Sequence, residues 1–159
     1  MSFKNLAKKD AFAQFSYPGL EGFIVNLKHL NKDEANRVGD YCSIKKYNPR
    51  TKAYDYDFDV EKYKDYMAEH IIVDWKGLTY EKLNKMVVLD MNELKTAGVQ
   101  MSDTVEPTFE NKKELLEMSI DFSNWVSDMI REAQNFAELQ KKAEFENLKE
   151  TGNGKTTKD

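Results

Sequence analysis

Asp55, Asp57 and Asp59 stand two residues apart, and three carboxylates at that spacing converge on a calcium ion where the backbone turns sharply. The rest of such a loop is missing. Counted from Asp55, the sixth position is Val60 in place of glycine, and the twelfth is Tyr66 in place of a bidentate glutamate. The run reads as the solvated face of a strand, and no metal is expected. The single cysteine, Cys42, cannot close an internal disulfide, and with only His29 and His70 beside it the chain has too few ligands for a zinc site. A thiol nucleophile would need one of those histidines within hydrogen-bond reach and a third group to orient it. The sequence leaves that arrangement open.

Gly152, Gly154, Lys155 and Thr156 have the letters of a phosphate-binding loop, but the first glycine at its proper spacing and a preceding strand are absent. Lys45, Lys46, Arg50 and Lys52 are interleaved with Tyr47 and Tyr54, which could stack bases. Acidic residues resume at Asp55, so the segment reads as a solvated loop and nucleic acid is not expected. With no catalytic constellation at hand, the expected role is binding another protein, without enzyme activity and without a cofactor.

Composition agrees. The chain has 159 residues, 40% of them hydrophobic, with nine Phe, eight Tyr and two Trp, enough for one modest core. With 28 acidic and 24 basic residues the formal net charge is −4, which gives no field drawing it to DNA or anionic lipid. No apolar stretch reaches the ~18 residues of a membrane span, and the N-terminus lacks an apolar signal core, so a reducing cytoplasm is the expected compartment.

These residues must be held by a small set of elements. Residues 1–19 end in Tyr17, Pro18 and Gly19 and read as a partly ordered arm. From Leu20, Phe23, Val25 and Leu27 alternate with Ile24 and Asn26 as in a strand. Asn31 and Glu34 form a capping box for a helix to Tyr41 or Cys42, with Ala35, Val38 and Cys42 inward. Tyr54, Tyr56, Phe58 and Val60 alternate with the aspartates in a second strand, antiparallel to the first. Val60, Tyr63, Met67, Ile71 and Trp75 then follow helical spacing up to Gly77. Thr79 and Asp90 open two short helices, the second ended by Gly98, and a further helix runs from Phe109 to Met118.

After a break near residues 119–121 comes the longest periodic segment, with Phe122, Trp125, Val126, Met129, Ile130, Ala133, Phe136 and Leu139 at helical spacing. It reads as one helix of about 30 residues and about 45 Å, too long for the domain, so its distal half should project. Trp125, Met129, Phe136, Leu139, Phe145 and Leu148 are the candidate protein-binding residues, with core the competing reading for Phe122 to Ile130. The expected fold is α+β and predominantly α-helical. It has a small antiparallel β element in the N-terminal half, a globular domain over residues 20–148, and a disordered tail over residues 149–159.

The element order, together with Val73, Trp75, Gly77 and Leu78 after a mid-chain helix and Trp125, Asn135 and Phe136 in the last one, resembles the tail assembly chaperones of long-tailed bacteriophages. The resemblance spans residues 20–148. It implies a protein outside the virion, in the host bacterial cytoplasm, that keeps the tape measure protein soluble and helps tail tube protein assemble around it. A possible homo-oligomer is compatible with the long helix. The alternatives are a structural virion protein, such as a connector or tail-completion subunit, or a phage protein that engages a host or immune protein.

Overall fold

The computed structural model describes residues 1–153. A short helix α1 (Phe3–Leu6) leads into strands β1 (Phe12–Ser16) and β2 (Ile24–Lys28). Helix α2 (Lys32–Cys42) is followed by strands β3 (Ser43–Asn48) and β4 (Ala53–Phe58). Helix α3 (Val60–Tyr66) runs through a π-helical turn, Met67–Ile71, into β5 (Ile72–Lys76). The helices α4 (Tyr80–Met86), α5 (Met91–Thr96), α6 (Phe109–Met118), α7 (Ile120–Arg131) and α8 (Ala133–Asn153) complete the chain.

The expectation of a predominantly helical protein with one small β element is overturned. The described residues are 51% helical and 20% strand, and their strands form two antiparallel sheets, ordered β1-β2-β5 and β3-β4. Helices α2, α3, α4, α5 and α6 start where the sequence puts them, and the side chains of Asn31, Asp59, Thr79, Asp90 and Thr108, the last not read as a cap from the sequence, each accept from a backbone amide in the first turn. Two of the misread segments, β3 and β5, are strands without a clean alternation of burial.

Strand β5 is the clearest case. Val25 pairs with Trp75 and Asn26 with Asp74, but Leu27 pairs with Ile72, so Val73 is an extra residue opposite that step. Such a bulge sets two residues against one and shifts the alternation. Ile72 and Trp75 are consequently both buried while Val73 and Asp74 are exposed, a spacing that imitates a helical stripe. Trp75 therefore lies in a strand and not in the helix that begins at Val60. The Nζ of Lys112 donates to the Val73 carbonyl at 2.8 Å and the Trp75 Nε1 donates to the Val105 carbonyl at 2.8 Å, tying β5 to the helical half.

The second strand is also placed differently. β4 pairs through six positions with β3, from Ser43↔Phe58 to Asn48↔Ala53, and not with the strand after Leu20. That strand, β2, instead pairs with β1 from the stretch read as an arm, where Ala13 and Phe15 are buried.

One face of the three-stranded sheet buries Phe15, Val25, Leu27 and Trp75 against Phe122, Val126 and Ile130 of α7. The other presents Gln14, Asn26 and Asp74 side by side to solvent. Ser119 ends α6 and caps α7, accepting from the Phe122 amide at 3.2 Å.

The single long C-terminal helix is not one helix. Glu132 is extended, with φ −90° and ψ 107°, and separates α7 from α8. The Asn135 side-chain amide donates to the Met129 carbonyl at 3.2 Å, filling one of the acceptors left open at the end of α7. α8 thereby returns over β1, with the Phe136 ring edge-on to Phe15 at 5.2 Å. Helix α8 takes in residues 149–153 of the expected tail, and residues 154–159 lie outside the described residues.

Candidate functional site

Four of the six residues expected to bind a partner pack against the core. Phe136 is only 3% exposed, and Trp125, Met129 and Leu139 are partly buried beside it. Trp125 meets Tyr17 edge-on at 5.0 Å. Phe145 and Leu148, further along α8, are 59% and 69% exposed. The break at Glu132 explains the division, because it lays the first turns of α8 on β1 and carries the rest outward.

The stretch Val73, Trp75, Gly77 and Leu78 forms a corner of the fold. Val73 is the bulged residue, Trp75 and Leu78 are buried, and Gly77 has φ +76°. A Cβ on Gly77 would come within 1.9 Å of the Gly22 carbonyl oxygen, so this position combines a left-handed backbone with a close backbone crossing.

The other chemistry-bearing residues are engaged locally. Asp59 caps α3, accepting from the Lys62 amide at 3.1 Å, and Asp55 accepts from the Asn48 side chain at 3.0 Å. Among the described residues no group of three His, Cys, Asp or Glu side chains is placed to hold a metal ion. Cys42 is fully buried, and its thiol is pushed up by burial and by nearby Asp59, the reverse of what an activated thiolate requires. His29 packs on Phe136 and His70 on Tyr66.

A surface of a different kind is built by the β3–β4 hairpin. Directly paired residues of an antiparallel ladder point to the same side, so Lys45, Tyr47, Tyr54, Tyr56 and Phe58 share one face. Asp55 and Asp57 fall on the other with Lys46. All six side chains of β4 are exposed, Tyr56 by 70%. Lys45 Nζ lies 4.0 Å above the Tyr54 ring, and Tyr47 meets Tyr54 edge-on at 5.5 Å. Such rings supply contact area at little cost in rotamer entropy.

At the base of this face Phe58 opens onto a groove of about 390 Å³ between the hairpin, α2 and α3. Its walls are Leu30, Ala35, Val38, Phe58 and Tyr63, and its polar members are Lys32 and Arg131, with no carboxylate. The aromatic alternation of β4 is legible in the sequence. The groove is not, because its walls come from segments far apart along the chain that meet only after folding.

No family model matches the sequence, and neither a curated protein nor a solved structure matches the chain. Among the described residues no helix is long and apolar enough to cross a membrane.

Proposed function

We propose that this chain works by holding another protein, without a catalytic step, and that the hairpin face with its adjoining groove is the holding surface. The observation that carries the reading is a row of exposed aromatic side chains, Tyr47, Tyr54, Tyr56 and Phe58, on a hairpin that stands off the core. Tyrosine is enriched among the residues that dominate interface energetics, and exposed apolar clusters mark places where partners bind.

The particular role proposed is that of a phage tail assembly chaperone in the host bacterial cytoplasm, with the tape measure protein as client and tail tube protein as the assembling subunit. It rests on the resemblance carried by Val73, Trp75, Gly77 and Leu78 and by Trp125, Asn135 and Phe136. Exposed Phe145 and Leu148 on α8 offer the same client a second contact. Co-expression with the tape measure protein of the same genome tests the role. The client should become soluble and co-purify, and should do neither with a Tyr47→Ser, Tyr56→Ser variant. An unchanged client sinks the proposal, and stoichiometric copies of the chain in purified particles would replace it with a structural virion role.

A further inference from the structure

Charge on this protein is unevenly placed around the groove. The chain carries more acids than bases, 28 against 24, yet the groove holds Lys32 and Arg131 and no carboxylate. The hairpin face that continues it adds Lys45, while the ladder register turns Asp55 and Asp57 to the opposite side. Three lysines elsewhere are ion-paired: Lys28 with Asp10 and Glu34, Lys64 with Glu61, and Lys113 with Glu61 and Asp65. Among the described residues neither Lys32 nor Arg131 has a carboxylate within ion-pair reach. Lys32 is moreover the first residue of α2, where the helix macrodipole disfavours a cation.

Resting on the reading of the chain as a protein that holds a protein, we propose that this surface takes an acidic amphipathic helix of the partner. Its apolar stripe seats in the Leu30, Ala35 and Val38 groove and on Tyr56 and Phe58, and its carboxylates face Lys32, Arg131 and Lys45. A helix laid in an apolar groove is an established mode of recognition, in which anchors three or four residues apart fill the groove. Six-residue strands reach about 20 Å, so a helix of about 13 residues matches the hairpin face alone and a longer one is needed to enter the groove as well. Single-stranded nucleic acid shares the anionic character but fits less well. Three of the five groove walls, Leu30, Ala35 and Val38, are aliphatic, and Tyr54 already has Lys45 over one face and Tyr47 at its side, which leaves fewer open ring faces for stacking bases.

Fluorescence anisotropy with the full chain decides between these occupants. The probes are labelled amphipathic peptides of about 18 residues with one leucine stripe and glutamate, glutamine or lysine flanks, plus an oligothymidylate of about 20 nucleotides. The glutamate peptide should bind at least about tenfold tighter than the lysine peptide, with the gap narrowing as salt rises from about 50 to 300 mM. Lys32→Gln with Arg131→Gln, folded by circular dichroism, should lose the glutamate preference and keep binding to the glutamine peptide. Tyr56→Ser should weaken all three peptides. Equal binding of glutamate and lysine peptides, tightest binding of the oligothymidylate, or an undiminished glutamate preference in the double variant each overturn the proposal. Failure of the tape measure co-expression with the glutamate preference intact would remove the chaperone role alone. Client solubilisation without that preference would remove only this inference.

Discussion

The phenol of Tyr66 donates to the buried carboxylate of Glu34 at 2.5 Å, joining α3 to α2 across 32 residues of sequence. Lys28 of β2 donates to the same carboxylate at 2.9 Å, so one glutamate ties a strand and two helices together. Burial works against the charge on Lys28, but its hydrogen bonds to Glu34 and Asp10 outweigh that and raise its pKa. Tyr66 is pushed up to about 12, first by burial and then by its bond to Glu34.

Replacing Tyr66 with Phe leaves Glu34 short of a donor. A hydrogen bond to a charged group contributes roughly 1.5–3 kcal/mol, and urea unfolding at neutral pH should show a loss in that range. The pH dependence has a definite sign. The native phenol holds its proton more tightly than the ordinary value of 10.0, so its contribution is whole below pH 10 and is lost as pH rises through about 12. The stability gap between wild type and Tyr66→Phe should therefore close across that window. A gap that stays constant would show that the Tyr66 proton is not linked to folding.

Phe136 separates two readings of the C-terminal segment. At 3% exposure against Phe15 and His29 it acts as core, so Phe136→Ala should cost about 3–5 kcal/mol in thermal or urea unfolding. Phe145→Ala and Leu148→Ala, at exposed positions, should each stay within about 0.5 kcal/mol. Equal losses at all three positions would mean that α8 packs along its length.

Legibility of the fold followed the kind of signal each element carries. Helix starts were legible because a cap is chemistry local to three or four residues, as at Asn31 with Glu34 and at Asp90 with Glu93. Strands β3 and β5 were not. Ser43–Asn48 has no alternation of apolar residues because its side chains are exposed or half-buried, and β5 loses its period at Val73. The break at Glu132 was hidden for another reason. The apolar spacing from Phe122 to Phe136 runs on across it, and the bond from Asn135 to Met129 that turns the chain leaves no mark in hydrophobic periodicity. The aromatic row of the candidate site was visible as alternation. That it stays in solvent depends on β4 pairing with β3 instead of joining the three-stranded sheet.

Gly77 and Gly98 give a matched pair. Both have positive φ, +76° and +71°, but a Cβ at Gly98 meets nothing while one at Gly77 strikes the Gly22 carbonyl. Gly98→Ala should cost only the left-handed penalty of about 1–2 kcal/mol. Gly77→Ala adds a backbone clash and should exceed about 3 kcal/mol, with the β2–β5 edge disturbed first in hydrogen exchange. Similar losses for the two substitutions would show that the crossing at Gly22 can open freely.

The hairpin should be the least stable sheet. A two-stranded ribbon without core contact is marginal in water, and β3–β4 is held at its base by the Asp59 amide bonded to the Cys42 carbonyl at 2.7 Å. Cross-strand pairs such as Tyr47 with Tyr54 contribute about 0.2–1 kcal/mol each, too little to match burial of Val25, Leu27 and Ile72 in the other sheet. Amides of Lys45 to Tyr56 should accordingly exchange by local opening, well before those of Val25 and Leu27, which await global unfolding. Tyr47→Ser should speed the hairpin further and leave the three-stranded sheet unchanged. A partner seated on Tyr56 and Phe58 would slow hairpin exchange selectively, so protection confined to residues 43–58 in the presence of the acidic peptide would locate the docking face directly. Protection spread evenly over both sheets would instead indicate general stabilisation, with the hairpin face left uncovered.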